Sequence, residues 1–379
     1  MKKTIFQIVI VTTIILPAGN SFSQDPAQFK PSGKVWGYVF GDYYYKVHSD
    51  SMDRGIGEYS KLKENTNAFE LRRVYFGYDY SISEKFSAEL LLSNEKNYDA
   101  SSNRTVFIKA ANVRWKNFIP KNDLIIGQSS TPAWSFVSEK VWGYRSVEKT
   151  ITDMHKAGNA NDLGVALQGK PDSVGNIGYN FMIGNGTGSK IENDVFKKVY
   201  GEVYFKFLNK KLILDLYGDY ELTHAKPYRK SKMTNKLFLA YQAEKLTVGV
   251  ELLKQKQENY TTYTDSVLGQ SSQVDVSLFS AAVFVRGNIL KDKLSFFFRA
   301  DVYDPDSEYN ADYVYSGSYS AYHTEIFSVF GLDFTPNKNV HFIPNIWYAS
   351  YQSRLKNASG KMKLDYDLVP RFTFHYLFK

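Results

Sequence analysis

The chain reads as an all-β protein, a transmembrane antiparallel β-barrel of about sixteen strands with an inward-folded constriction loop. Three observations predict it. The chain starts with an export signal but holds no later apolar run long enough to cross a bilayer as a helix. Strand-like segments follow one another with short turns and long loops in strict alternation, the rhythm of outer-membrane barrels. Many of those segments alternate apolar and charged residues, in a chain that holds 29 Tyr and 27 Phe.

The export signal occupies residues 1–23. Lys2 and Lys3 give a basic start, residues 5–16 an apolar core, and Ser21-Phe22-Ser23 a small-x-small cleavage site, which leaves 24–379 as the mature barrel. The absence of cysteine excludes a lipidated cysteine and a disulfide framework. Net charge is +8, or about +6 without Lys2 and Lys3, and the bases are scattered. Export and scatter argue against nucleic acid as a partner.

In order, strands are expected at 34–47, 68–82, 86–94, 105–117, 123–129, 162–169, 176–184 and 198–208. The second half continues with 212–222, 235–243, 246–256, 274–289, 294–302, 322–334, 340–350 and 368–378. Short turns fall at 83–85, 120–122, 170–175, 209–211, 244–245, 291–293 and 336–339, with polar loops between the others. In barrels of this type the short turns face the periplasm and the long loops face outside, and an even count puts both ends on the periplasmic side.

Alternation assigns faces. Leu212, Leu214, Leu216, Tyr220 and Leu222 oppose Asp215, Tyr217, Asp219 and Glu221, and carboxylates on alternate positions cannot face lipid. Val199, Val203, Phe205 and Phe207 oppose Glu202 and Lys206, while Phe296, Phe298, Ala300 and Val302 oppose Arg299 and Asp301. Phe372, Phe374, Tyr376 and Phe378 oppose Arg371, Thr373 and His375. A soluble sandwich also alternates, but would not need so many aromatics on one face. Two segments break the pattern: 274–289 is apolar on both parities near Leu278, and Lys109 shares a parity with Phe107 and Trp115. A bulge in one of these strands, or contact with the insertion across the lumen, is expected. Tyr78, Tyr80, Trp115, Phe207 and Phe378 read as one aromatic girdle and Tyr43, Tyr45, Trp347 and Tyr348 as the other.

The rhythm stops between Gly127 and Gly164, where about thirty residues show no alternation. An insertion of that length is usually functional. Folded into the lumen over about 130–160, it would present Lys140, Arg145, Lys149 and Lys156 against Glu139, Glu148 and Asp153, and rings of one sign select ions of the other. Arg73, Arg114, Arg286, Arg299 and Arg371 are wall candidates able to fork onto carboxylate or phosphate oxygens, beside Asp42, Asp215, Asp219, Glu221, Asp301 and Asp333. The blander reading has these charges pairing to brace the wall.

Chemistry of other kinds is thinly supported. His48, His224 and His323 lie at or beside outer loops, where a barrel protease or lipase would place an acid–base pair with Asp50 or Glu325. No metal or nucleophile motif accompanies them, so neither cofactor nor metal is expected. The segment Gly184-Asn185-Gly186-Thr187-Gly188-Ser189-Lys190 has no helix pattern after it and reads as loop.

Phe69-Glu70-Leu71-Arg72-Arg73-Val74-Tyr75-Phe76-Gly77 followed by Phe86-Ser87-Ala88-Glu89-Leu90 resembles the paired-arginine hairpin of the phosphate-selective porin O and P family of Gram-negative bacteria. Ile125-Ile126-Gly127-Gln128, Thr131-Pro132, Glu139, Trp142-Gly143-Tyr144-Arg145 and Asp162-Leu163-Gly164 are similar to the family's segment entering and leaving its pore-constricting loop. The resemblance keeps its order from about residue 34 to 168. It implies a sixteen-stranded, typically trimeric channel for small polar or anionic solutes, set in outer-membrane lipid and lipopolysaccharide, with Arg73 and Arg145 as pore residues. The chain departs from the family in lacking a full ladder of lumen arginines. The function expected is passive diffusion with a mild anion or phosphate preference; a barrel enzyme, or an adhesin or scaffold working through its loops, is the alternative.

Overall fold

The computed structural model describes residues 29–172, 174–225, 229–264, 268–310, 314–316, 322–356 and 362–379. The expected export signal lies outside the described residues. The strands are β1 (Ser32–Tyr45), β2 (Asn67–Ser81), β3 (Phe86–Asn94), β4 (Phe107–Ile119), β5 (Asn122–Ser130), β6 (Asn161–Gly169), β7 (Ile177–Gly184), β8 (Lys198–Phe207) and β9 (Leu212–His224). They continue as β10 (Lys230–Gln242), β11 (Leu246–Thr264), β12 (Ser271–Leu290), β13 (Leu294–Asp304), β14 (Val314–Ser316), β15 (His323–Asn337), β16 (Val340–Lys356) and β17 (Met362–Phe378). All pairings are antiparallel, and β1 pairs with both β2 and β17, which closes the sheet. The three-residue β14 lies beside the outer end of β11, and β13 pairs directly with β15. Sixteen long strands therefore form a closed barrel.

The face assignments hold. Asp215, Tyr217 and Asp219 are buried on the inner face of β9 while Leu216 and Tyr220 are exposed outside. In β13, Arg299 and Asp301 are buried and Phe298 and Val302 exposed. Trp347 corrects the expected girdle: it is fully buried on the inner face, since neighbours in a strand take opposite faces and Tyr348 takes the outer one.

Several strands run further than their apolar alternation. Residues 257–264 and 271–273, expected as loop, extend the β11–β12 hairpin, and β16 and β17 lengthen likewise. Tyr260, Thr261, Thr262 and Tyr263 favour extended backbone, and no apolar face is needed where a ribbon leaves the bilayer.

Bulges reset parity where charge must turn inward. In β4, Ala110 pairs with Leu91 and Ile108 with Leu92, so Lys109 is the extra residue and points inward beside Ala110, leaving Trp115 outside. In β2, Arg73 pairs with Phe40 and Leu71 with Gly41, so Arg72 is extra and both arginines are buried inside.

The insertion is not without regular structure: it holds α1 (Ser138–Trp142) and α2 (Ile151–Met154). Gly143 ends α1 at φ 73°, a left-handed position that favours glycine. Val137, Val141, Trp142, Tyr144, Val147 and Met154 pack on inward Phe238, Phe284, Phe297, Phe327 and Trp347. Trp142 meets Phe284 edge-on at 5.2 Å, and Ala157 packs with Leu253 and Leu278. This contact explains the two-sided apolar run in β12: one side meets the surroundings and the other meets the insertion. Each such side chain removed from water contributes roughly 1.5–3 kcal/mol, so the insertion is part of the core.

Candidate functional site: the narrowed lumen

Wall side chains, five cations and one glutamine, hold the insertion by its carbonyl groups. Arg72 Nη1 donates to Ser146 O at 2.8 Å, Arg286 Nε to Val141 O at 2.9 Å, and Arg371 Nη2 to Val147 O at 3.1 Å. Lys236 Nζ donates to Ala133 O at 2.6 Å, Gln255 Nε2 to Ala157 O at 2.8 Å, and Arg299 to Lys149 O. Val141 O belongs to the last turn of α1, where carbonyls lack an intrahelical partner, and the other oxygens lie between α1 and α2 or outside them.

The predicted site residues divide into two groups. Arg299, Arg371 and Glu148 are buried where insertion meets wall. Arg299 Nε also donates to Asp301 at 2.8 Å, and Arg371 Nε to Asn345 Oδ1 at 2.8 Å with its guanidinium 4.8 Å from the Tyr59 ring. Glu148 accepts Trp347 Nε1 at 2.9 Å and its own neighbour Lys149 N at 3.0 Å. These three anchor the loop. Lys140 and Lys156 are exposed and Lys149 half-buried, and none has an ion pair among the described residues. Arg145 stands between, bonded to Glu139 and, at 2.8 Å, to Asp153.

Facing this edge of the insertion is a chain of alternating charges. Glu58 bridges Arg72 Nε at 2.5 Å and Arg73 Nη2 at 3.2 Å, and Arg72 also lies 3.4 Å from Asp42. Glu95 lies 3.7 Å from Arg73 Nε and bonds both Lys109 and the Tyr75 hydroxyl. Burial pushes the Glu58 carboxyl up, but Arg72 and Arg73 outweigh it and hold the group well below the usual carboxylate range. Glu95 is likewise pushed up by burial and held low by Lys109 and Arg73. For Glu139 burial wins over Arg145, and its pKa is raised.

The sequence pointed to Arg73 and Arg145 but not to Arg72, Glu58, Tyr59, Glu95 or Lys236. Glu58 and Tyr59 belong to the first long loop, which dips inward: the buried Tyr59 hydroxyl bonds Asp42, and its ring packs on Tyr44 and Trp347. A charge on each parity in mid-strand, as at Arg72-Arg73, is the signal that a bulge turns both inward. Below the insertion, toward the short turns, an open cavity of about 600 Å³ is lined by Arg114, Phe136, Lys140, Asn180 and Tyr204, with Lys121 and Lys170 at its rim. Arg114 pairs with Asp123 there at 2.9 Å.

The histidines do not build a hydrolytic centre among the described residues. Asp365 takes Ser51 Oγ at 2.6 Å and lies 3.8 Å from His48 Nε2, so the carboxylate sits between hydroxyl and imidazole, whereas a triad needs the imidazole there. His224 contacts Thr223 Oγ1 at 3.3 Å, and His323 lies edge-on to Tyr351 at 5.8 Å.

Neither a protein-family model nor a curated protein sequence matches the chain, so the phosphate-selective family stays a resemblance. Solved structures do match its fold. The outer membrane channel DcaP of Acinetobacter baumannii superposes with a TM-score of 0.66 at 12% identity, covering 92% of this chain and 97% of that one. An anion-selective porin from Comamonas acidovorans gives 0.59 at 11% identity, with 92% and 100% covered. The trimer form of OmpT, an outer membrane protein of Vibrio cholerae, gives 0.56 at 10% identity, with 92% and 99% covered. The chain therefore has the barrel architecture of outer-membrane porins.

Proposed function

We propose that the chain is an outer-membrane porin, exported through residues 1–23, that lets small polar solutes diffuse passively through a lumen narrowed by residues 130–160. One observation carries the reading: the insertion is tied into a closed barrel by Arg72, Arg286, Arg299, Arg371 and Lys236, while Lys140, Lys149 and Lys156 have no acid partner among the described residues. The acids opposite are committed to Arg72, Arg73 and Lys109, which favours a mild preference for anions, phosphate among them. An assembly of three copies is in keeping with the trimer form known for OmpT. Among the described residues His48, His224 and His323 form no triad that would support an enzymatic role. The test is single-channel recording of the refolded protein in a planar bilayer, with reversal potentials across a salt gradient. Steady channels with modest anion selectivity are expected; cation selectivity overturns the preference, and absence of conductance favours an adhesin or scaffold.

A further inference from the structure

Strand register lines up Gly201, Gly218, Asn235, Lys254 and Phe279 in one row across the outer face of β8 to β12. The row interrupts the apolar belt. A Cβ at Gly218 would meet nothing nearer than Thr234 O at 3.6 Å and Asn235 Oδ1 at 3.7 Å, and its backbone is not left-handed, so neither crowding nor strain requires glycine there. Gly218, in register with Asn235 and two residues from Leu216, sits beside a trough of about 400 Å³ on the outer wall, bounded by Leu216, Leu237, Leu252 and Phe279, with Asn235 and Lys254 at its head. Lys254 and Asn235 are both exposed. Lys256, the next outward cation on β11, has Asp275 at 3.0 Å, whereas Lys254 has no ion pair among the described residues.

Lys254 is eight residues along β11 from the short-turn end. At about 3.3 Å per residue and a tilt of about 45° it stands roughly 20 Å up a belt about 25 Å tall. Leu252 below it, Phe279 beside it and Met233 above on β10 are exposed apolar residues. A lone ammonium in such a belt is unfavourable unless an anion meets it. That leaves Lys254 about 5 Å below the top of the belt, within reach of outer-leaflet headgroups for an extended lysine, and ammonium and amide together offer donors suited to a phosphate.

We propose that the trough holds one lipid of the outer leaflet, an acyl chain against Leu216, Leu237 and Leu252 and its headgroup phosphate on Lys254 and Asn235. The test uses the full mature barrel in detergent, with lipid retention read by native mass spectrometry. The probes are bis-phosphorylated lipid A, its dephosphorylated form and phosphatidylglycerol. Wild type should retain a phosphate-bearing lipid about tenfold better than the dephosphorylated one, and Lys254→Ala should remove that margin. Gly218→Leu, which fills the trough without altering charge, should lower retention too, while Lys254→Arg and Lys256→Ala keep it. A heat-resistant band on unboiled gels checks that each variant folds. Equal retention of the dephosphorylated lipid, or unchanged retention in both Lys254→Ala and Gly218→Leu, overturns the proposal. Loss of a trimer in Gly218→Leu with lipid retention intact also overturns it, by giving the trough to a second copy.

Discussion

At the residue scale, the narrowing is close to neutral because nearly every charge in it has a partner, and selectivity rests on the few that do not. Replacing Lys140 and Lys156 together by Glu should therefore reverse the sign of the reversal potential while leaving the barrel folded; a potential unmoved by the pair would place the selective charges elsewhere. Glu58 tests the bracing. Its removal in Glu58→Gln leaves Arg72 and Arg73 buried without their shared acid, a loss of about 3 kcal/mol by analogy with broken buried pairs. The cost should appear as release of the first loop, read as faster tryptic cutting at Lys61 and Lys63. Acid acts unequally on these groups. A raised carboxyl takes its proton first as pH falls, and a depressed one keeps its charge below the ordinary range, so Glu139 neutralises while Glu58 and Glu95 stay ionised. Anion preference should rise as pH drops from neutral toward the ordinary carboxylate range, and a flat profile of reversal potential against pH would refute this ordering.

At the element scale, strands were legible wherever one face had to be apolar and the other wet, as in β9, where Asp215 and Asp219 set the parity. The outer ends of β11, β12, β16 and β17 were not, because above the bilayer both faces meet water and the period-two signal vanishes. Lys109 announced its bulge by sitting on the wrong parity; Arg72 did so only as half of a charged pair, and the inward turn of the first loop left no mark in local sequence at all. Which cations anchor and which stay free was equally hidden, since that depends on carbonyls brought close by folding: Arg371 and Val147 are 224 residues apart. Within the insertion, Gly143 is the position that local backbone dictates. A β-branched residue there must adopt a left-handed conformation at a cost of roughly 1–2 kcal/mol. The Gly143→Val channel should show noisier open states than Gly143→Asn, since asparagine tolerates that conformation; equal noise would mean the C-terminus of α1 does not set the insertion's position.

At the scale of the whole molecule, the barrel and its insertion are separable in a way the geometry makes testable. The strands on either side of the insertion are paired up to Ser130 and Asn161, and Thr131 N donates to Ala160 O at 3.0 Å, so the chain leaves and re-enters the wall through one hydrogen-bonded pair. Residues 132–159 can therefore be exchanged for Asn-Gly, a two-residue connection that suits an antiparallel hairpin. The closing pairs of β1 with β17 and the outer belt are untouched by that exchange, so the variant should keep its heat-resistant band. Conductance should rise as the lumen empties. Anion preference should fall at the same time, because Lys140, Lys149 and Lys156 leave with the insertion, while the released Arg72, Arg299 and Lys236 keep their acid partners Glu58, Asp301 and Asp215. The expected result is a wider channel with a weaker anion preference in reversal potential. A wider channel that keeps its preference would put the selective charges on the wall, and an unchanged conductance would show that residues 130–160 do not set the width of the pore.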